Sequence, residues 1–237
     1  MPGPNPIKLY DLVLANGVTL SPFVWRTKLA LLHKGLPFES VPTTYMGIKS
    51  ILDGTQRRLP VIDDNGKVVP DSLFIADYLD ATYPDRPALF RTKSERNFMR
   101  WLDGWMFPTI VRAWFSCYSY DQVKLVAPED VDYVLTAHTR IWQGQHPRDK
   151  CADRDERLPT YRPLLDPIRN HLKETKWFGG DEPNQVDNMM LGHFLWCASL
   201  ASEPPLLKDD PLFDYINRGF DRYASVARDP RLYPLAA

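Results

Sequence analysis

The most informative stretch of this chain is LPVIDDNGKVVPDSLFIADYLDATY, residues 59–83. Two short runs rich in β-branched residues flank Asn65-Gly66, a pair that favours the positive φ angles of a tight hairpin turn. Asp71 or Ser72 can then cap a helix, because apolar residues recur along one face of the remaining segment. The stretch therefore predicts two antiparallel strands followed by a helix.

The residues before this stretch alternate strand and helix signals. Pro22 suits the first position of a helix, where a missing N–H leaves nothing unpaired, and Gly35 suits its end. The predicted elements are a strand over 7–10, a helix over 23–34, a strand over 38–41 and an irregular helical or loop segment over 43–58. The order β-α-β-α-β-β-α follows for residues 1–83.

The strand signal vanishes after the proline-containing sequence PDRP, residues 84–87, which indicates a stiff linker over 84–90. The segment 91–237 is predicted to be an all-helical domain, because apolar residues recur there at helical spacing between proline-containing breaks. The predicted helices span 94–120, 128–145, 161–175, 186–202 and 211–228. The fold class is therefore an α/β domain followed by an all-α domain.

Composition excludes several classes of partner. The 29 basic and 30 acidic residues nearly cancel, so nucleic acid and anionic membranes are not expected to bind. The longest nearly apolar stretch, 189–201, is shorter than the roughly 20 residues of a membrane span. Residues 1–6 carry no secretory signal, which favours a cytoplasmic location. Neither the three cysteines nor the five histidines show metal-ligand spacing, so no metal is expected.

Three local features of the first domain could hold a peptide-like ligand. Ser21 precedes a helix start that favours an anion, and a simple N-cap is the alternative. Pro60 enters a strand that should be central, and a cis bond there would turn the backbone of Leu59 towards a ligand; an ordinary strand-entry proline is the alternative. Asp71-Ser72 could receive an α-amine and an α-carboxylate, or could merely cap a helix.

The order and spacing of these three features resemble those of a known protein family. The chain resembles the cytosolic glutathione transferases in SPFVWR (21–26), LPVI (59–62), DSLFIADYL (71–79) and WFGGD (177–181). It looks most like the bacterial lignin β-etherases and the fungal FuA class in LYDL (9–12), VWRTK (24–28), YPDRP (83–87) and RGFD (218–221). The resemblance implies a thioredoxin-like glutathione-binding domain, a helical domain with the co-substrate site, and a homodimer.

The resemblance also implies roles for individual residues. Ser21 takes the place of the catalytic serine that donates to the glutathione sulfur; Tyr10, Asn16 or Thr19 would be the alternatives. Leu59 pairs with the cysteinyl backbone, Pro60 is the cis-proline, and Asp71 with Ser72 holds the γ-glutamyl end. Relatives have Glu or Gln where this chain has Asp71. Asn184 and Asp187 occupy the capping box of the helical domain, where Ser or Thr is common.

The glycine carboxylate of glutathione needs a cation. We assign this role to Arg58. Arg57 and Lys49 are alternatives that the sequence cannot separate from it, and the two arginines could also be ordinary solvated surface residues. No cysteine occupies the active loop, which disfavours thiol–disulfide exchange. The predicted reaction is attack of the glutathione sulfur on carbon, as conjugation of a xenobiotic or as cleavage of an aryl ether.

Aromatic side chains crowd the first long helix of the second domain, and we assign Trp105, Phe115 and Tyr118, with Phe23, to an apolar site for aromatic co-substrates, phenolics above all. Core packing is the alternative explanation of such a stripe. Two other functions stay open at this point. One is a carrier that binds glutathione and aromatics without turnover, and the other is an interaction module that reuses the fold.

Overall fold

The computed structural model describes residues 5–233 and Leu235. The first four residues of the predicted N-terminal domain, which also belong to the segment considered for a secretory signal, lie outside the described residues. The strands are β1 (Ile7–Leu12), β2 (Phe38–Thr43), β3 (Val61–Asp64) and β4 (Lys67–Pro70). The helices are α1 (Pro22–His33), α2 (Ser72–Thr82), α3 (Lys93–Met106), α4 (Arg112–Leu125), α5 (Val131–Ile141), α6 (Pro147–Lys150), α7 (Arg154–Tyr161), α8 (Asp166–Glu174), α9 (Gln185–Leu200), α10 (Leu212–Arg222) and α11 (Ala224–Ala227).

The four strands form one mixed sheet in the order β2-β1-β3-β4. β1 is parallel to β2 and antiparallel to β3, and β3 is antiparallel to β4. Asn65 and Gly66 have φ angles of 52° and 93°, and the Gly66 amide donates to the Asp63 carboxylate at 2.7 Å. The predicted hairpin and thioredoxin-like sheet are therefore confirmed. The irregular segment after β2 contains a 3-10 helix over Met46–Ser50.

Side-chain caps begin the helices that matter for the site. The Ser21 hydroxyl accepts from the Val24 amide at 3.4 Å, and one Asp71 carboxylate oxygen accepts from the Leu73 amide at 2.8 Å. Asn184 and Asp187 form the predicted capping box at the start of α9. These short polar residues satisfy amides that a helix start leaves without a partner. The sequence therefore located the beginnings of α1, α2 and α9 correctly.

The predicted helix over 94–120 exists as one uninterrupted helical stretch from Lys93 to Leu125, but a π-helical turn over Phe107–Val111 separates its two α-helical parts, α3 and α4. Pro108 has no amide hydrogen and its ring collides with the preceding turn, so regular α-helical bonding cannot continue through it. The Thr109 hydroxyl donates to the Trp105 carbonyl at 2.6 Å and uses part of the acceptor capacity that this break leaves. The turn holds one extra residue, and Met106 before it and Trp114 after it still line one small cavity.

Two helices in the long polar segment before residue 162, α6 and α7, were not predicted. Their sequence offers little apolar periodicity, since Leu158 is the one buried apolar residue of α7. The remaining predicted helices exist with shifted ends. Short 3-10 turns over Pro128–Asp130 and Arg162–Leu165 precede α5 and α8.

The two domains meet where α1 packs against α9. Every residue of α9 is buried, and a Cβ atom on Gly192 would lie 3.0 Å from the Arg26 amide nitrogen and 3.1 Å from the Pro22 carbonyl oxygen. The Arg26 guanidinium also makes a two-point ion pair with Asp103 of α3, at 2.9 and 3.1 Å. Close packing at this junction fixes the N-terminal end of α1, and with it Ser21.

Candidate active site

A groove of about 430 Å³ lies at the edge of the sheet domain. It is lined by Phe23, Gln56, Arg57, Arg58, Leu59, Pro60, Pro70, Asp71 and Ser72. The five residues that the sequence assigned to glutathione, from Arg58 to Ser72, therefore lie on one surface. Lys49, the alternative cation, is not among the residues that line the groove.

The backbone of the groove is turned outward at Leu59. The Leu59–Pro60 peptide bond is cis, as predicted, and the Pro60 carbonyl accepts from the Asp71 amide at 3.1 Å. The amide and carbonyl of Leu59 make no backbone hydrogen bond to other described residues. They can therefore pair with the backbone of an extended peptide ligand, as a neighbouring strand would.

Asp71 has an unusual backbone conformation at the start of α2, with φ 70° and ψ 128°. A non-glycine residue in such a sparsely populated region costs on the order of 1–3 kcal/mol and is typical of binding sites. One carboxylate oxygen caps α2, and the other makes no hydrogen bond to the described residues. The unused oxygen can accept from an amine, while Ser72 and the start of α2 can receive a carboxylate.

The two neighbouring arginines of the groove differ in how their side chains are used. The Arg57 guanidinium donates to the carbonyls of Gly54 and Gln56, both at 2.8 Å. The exposed Arg58 side chain makes no hydrogen bond or ion pair to the part of the chain that the structure describes. Arg58 is therefore the groove cation with its donors available for a carboxylate.

A second, apolar cavity of about 380 Å³ lies beside the groove. Its walls are formed by Leu12, Leu20, Ser21, Pro22, Phe23, Tyr45, Phe107, Val111, Arg112, Phe115, Gln122, Tyr133, Val134, Ala137, His138, Ile141 and Trp196. Phe23 lines both the groove and the cavity, and its ring lies 5.9 Å from that of Phe107. A ligand thiol in the groove and an aromatic molecule in the cavity would meet beside Phe23 and Ser21.

Ser21 is 6% exposed, and the structure places it on the wall of the apolar cavity. Its oxygen accepts the long bond from Val24, and its hydroxyl proton has no acceptor among the described residues. The predicted alternatives are used elsewhere. The Thr19 hydroxyl donates to buried Asp11 at 2.9 Å, the Asn16 side chain accepts from the Val18 amide, and Tyr10 does not line the cavity.

The predicted aromatic residues divide into two groups. Phe23 and Phe115 line the cavity. Tyr118 does not, because it is fully buried in the core of the helical domain and its hydroxyl donates to the Glu203 carbonyl at 3.1 Å. Trp105 also lies away from the cavity, because it stands two positions before the cavity residue Phe107, and residues two apart in a helix point to opposite sides. These two assignments are corrected accordingly.

Sequence reasoning missed several cavity residues, including Tyr45, Arg112, Tyr133, His138 and Trp196. Tyr45 follows β2, and its amide donates to the buried Asp130 carboxylate at 2.7 Å. Its hydroxyl accepts from the Gln122 side chain at 2.8 Å, and burial raises the pKa of Tyr45, which therefore stays a neutral phenol. No local pattern marks these residues, because they come from four separated parts of the chain.

His138 of α5 is 5% exposed, and its Nδ1 atom lies 3.0 Å from the Ser119 carbonyl oxygen. Burial lowers the pKa of His138 to about 4, so the imidazole is neutral at pH 7. The ring stands edge-to-face on Phe115 with the centroids 4.8 Å apart. The cavity therefore contains polar side chains that burial keeps uncharged.

Within residues 5–233 and Leu235, no helix is both long and apolar enough to cross a membrane. No group of three or more His, Cys, Asp or Glu side chains there could hold a metal ion.

Comparison with known proteins adds independent information. Residues 17–87 match the family model "Glutathione S-transferase, N-terminal domain". Glutathione S-transferase U22 of Arabidopsis thaliana is 26% identical over 181 residues, which are 74% of this chain and 69% of the relative. Glutathione S-transferase U3 of the same plant is 32% identical over 88 residues. These are 35% of this chain, and the chain spans 39% of that relative's length.

Solved structures share the whole architecture. A glutathione S-transferase of Ceriporiopsis subvermispora, in complex with glutathione, has a TM-score of 0.77 at 22% identity and covers 94% of this chain and 97% of its own. Glutathione transferase GSTFuA3 of Phanerochaete chrysosporium has a TM-score of 0.68 at 23% identity, with 95% and 96% covered. At this identity the likeness shows the fold. Residues 17–87 thus match the model of a glutathione S-transferase N-terminal domain, and the chain as a whole has the glutathione S-transferase fold.

Proposed function

We propose that this protein is a glutathione transferase in which Ser21 activates the glutathione thiol for attack on apolar aromatic electrophiles. One observation carries the proposal. A groove formed by Arg58, Leu59, Pro60, Asp71 and Ser72 adjoins an apolar cavity that has the Ser21 hydroxyl on its wall. The relatives and structural neighbours, which are glutathione S-transferases, support this choice of ligand.

Each part of glutathione has a matching group in the groove. The outward-facing backbone of Leu59 would pair with the cysteinyl residue, because a cis-proline bend leaves both its amide and carbonyl available. The free Asp71 oxygen would accept from the γ-glutamyl amine, and Ser72 would receive the neighbouring carboxylate. Arg58 would bind the glycine carboxylate, since Arg57 already donates to its own loop.

Activation of the thiol is the main catalytic act in this proposal. A thiol with a pKa of about 8.5 is only about 3% ionised at pH 7. A hydrogen bond from Ser21, together with the amides at the start of α1, would stabilise the thiolate. A pKa lowered by about 2 units would raise the thiolate fraction roughly 25-fold at pH 7.

The thiolate would then attack carbon in the aromatic co-substrate. A new S–C bond forms with the sulfur lone pair, and the leaving group departs with the electrons of the broken bond, while the thiol proton has gone to solvent. A halide leaving group gives conjugation, and an aryloxide leaving group gives ether cleavage. Both reactions stay within the proposal.

Replacement of Ser21 tests this mechanism. Ser21→Ala should lower the turnover of chlorodinitrobenzene about 25-fold at pH 7, while the dissociation constant for glutathione stays within about twofold. Ser21→Thr is the matched control, because it retains a hydroxyl and a helix cap and should keep most of the activity. The absorbance of the bound thiolate, measured against pH, should show the pKa rising in Ser21→Ala.

Equal turnover in Ser21→Ala and the wild type would assign activation to another group. Tight glutathione and aromatic binding with no turnover in the wild type would instead support a non-enzymatic carrier.

We also propose a cytoplasmic location, a linker over 84–90 and a homodimer. Exposed Phe74, Phe98 and Trp101, on α2 and α3, supply apolar surface that a second copy could cover.

A further inference from the structure

His138 presents an unused hydrogen-bond acceptor in the apolar cavity. The Ser119 carbonyl can only accept, so the proton of the neutral imidazole lies on Nδ1, which donates across the 3.0 Å distance. Nε2 then carries a lone pair and no hydrogen. Among the described residues, no donor reaches Nε2.

Apart from the Ser21 hydroxyl, which the proposed function assigns to the glutathione sulfur, the other polar groups of the cavity have partners or lie at its mouth. The Gln122 amide donates to the Tyr45 hydroxyl, and the Arg112 guanidinium donates to the Ile141 carbonyl at 3.1 Å while it stacks on Trp142. The Tyr133 side chain is 53% exposed. Nε2 is thus an acceptor on the wall of an apolar cavity, where a ligand that supplies the donor gains a hydrogen bond.

We propose that His138 Nε2 accepts a hydrogen bond from a ring hydroxyl of the co-substrate, so that the cavity selects phenols among aromatic molecules of the same size. This inference rests on the proposed function for the identity of the cavity as the co-substrate site. Two contacts fix the orientation of the imidazole ring. The Ser119 carbonyl accepts from Nδ1, and the Phe115 ring packs edge-to-face with the imidazole at a centroid distance of 4.8 Å. His138 is therefore a specificity-determining residue.

The chemistry of the cavity favours a phenol over other polar aromatics. The Nε2 lone pair repels a carboxylate, which has no proton to donate. An ammonium group would lose its hydration among apolar walls and would meet the Arg112 charge at the rim. A neutral hydroxyl on an aromatic ring satisfies Nε2 and leaves the rest of the ring against Phe23, Phe107 and Trp196.

The test compares α-naphthol with its methyl ether, α-methoxynaphthalene, which lacks the donor. Dissociation constants are measured by calorimetry on the full-length protein with saturating glutathione. In the wild type α-naphthol should bind about fivefold more tightly than the ether, the effect of one net hydrogen bond. In His138→Asn the ratio should fall to about one, because the amide can replace Nδ1 at Ser119 but offers no acceptor at the Nε2 position.

His138→Gln is the rescue variant. Its longer side chain carries an amide oxygen near the Nε2 position, so hydroxyl selectivity should return even though the bond to Ser119 is lost. A merely structural role of His138 would weaken both ligands equally and leave the ratio unchanged. An unchanged ratio in His138→Asn would overturn the proposal. It would also be overturned if α-naphthoate bound more tightly than α-naphthol and lost that advantage in Arg112→Met, because Arg112 and not His138 would then select the ligand.

A separate measurement keeps this inference apart from the proposed function. Glutathione binding and turnover of chlorodinitrobenzene, which has no hydroxyl, are measured on the wild-type protein and test Ser21 and the groove without requiring a hydrogen bond to Nε2. Normal turnover with no hydroxyl selectivity would refute the role of His138 and leave the proposed function intact.

Discussion

The groove and the cavity lie side by side but are built in different ways. Apart from Phe23, the groove comes from two short segments, 56–60 and 70–72, that flank one β-hairpin. The cavity takes its walls from the segment before α1, the loop after β2, the π-helical turn, α4, α5 and α9. The groove residues could be predicted because they stand at local backbone features. The cavity residues could not, because the cavity depends on how distant helices pack together.

The two regions also differ in electrostatics. The groove offers charged and backbone groups to a charged peptide, with Arg58 and Asp71 both exposed. In the cavity burial lowers the pKa of His138 to about 4 and raises that of Tyr45, so both side chains are neutral at pH 7. Charge therefore selects the ligand of the groove, and shape with neutral hydrogen bonds selects the ligand of the cavity.

The largest expected effect comes from the contact between α1 and α9, which fixes the position of Ser21 beside both the groove and the cavity. Gly192→Val would place side-chain atoms against the Arg26 and Pro22 backbone, where a Cβ atom already meets atoms at 3.0 and 3.1 Å. We expect a loss of about 2–3 kcal/mol in the free energy of unfolding, because α1 and α9 cannot separate without disturbing the core. Displacement of Ser21 should lower turnover on the order of 100-fold. Urea denaturation and the chlorodinitrobenzene assay measure the two effects.

Gly104→Ala is the matched control for this variant. An added Cβ at Gly104 of α3 meets no atom within 4 Å, and alanine is the better helix former by about 1 kcal/mol. Stability should therefore stay equal or rise, with unchanged turnover. If Gly192→Val behaved like Gly104→Ala, the close α1–α9 contact would not be what fixes the position of Ser21.

The next effect should be confined to the groove. Arg58→Ala should raise the KM for glutathione about tenfold, because a charged hydrogen bond to the glycine carboxylate is lost. Arg57→Ala should change it less than about twofold, since that guanidinium donates to Gly54 and Gln56. Initial rates at varied glutathione separate the two variants. The reverse order would move the carboxylate site to Arg57 and mean that its loop contacts break on binding.

The smallest effect should be confined to the cavity. Phe107→Ala removes a half-exposed ring beside Phe23 and should weaken α-naphthol binding about threefold without affecting glutathione. Trp105→Ala removes a larger ring that lies away from the cavity and should leave α-naphthol binding unchanged. Calorimetric titration measures both. A loss in Trp105→Ala alone would restore the sequence-based assignment and contradict the corrected wall.

Local rules explain which parts of the site were predicted. Ser21, Pro60 and Asp71 were identified because each stands at a strand or helix start where its residue type has a specific physical role. The same rules gave the hairpin at Asn65-Gly66 and the capping box at Asn184. They could not separate Arg57 from Arg58, because the difference lies in carbonyl groups that the folded loop brings to one of them.

The chain's own residue order was enough to predict the sheet domain, the helical domain and the helix starts at Ser21 and Asp71, because these depend on neighbours close in sequence. At Pro60 the residues left a cis bond and an ordinary strand entry open, and the roles of the groove residues came from the family resemblance. Three-dimensional packing alone decided which aromatic side chains line the cavity. Trp105 lies on the side of its helix opposite Phe107, the core encloses Tyr118, and α5 contributes His138. Side-chain surroundings of this kind arise from contacts between distant segments, which no local pattern encodes.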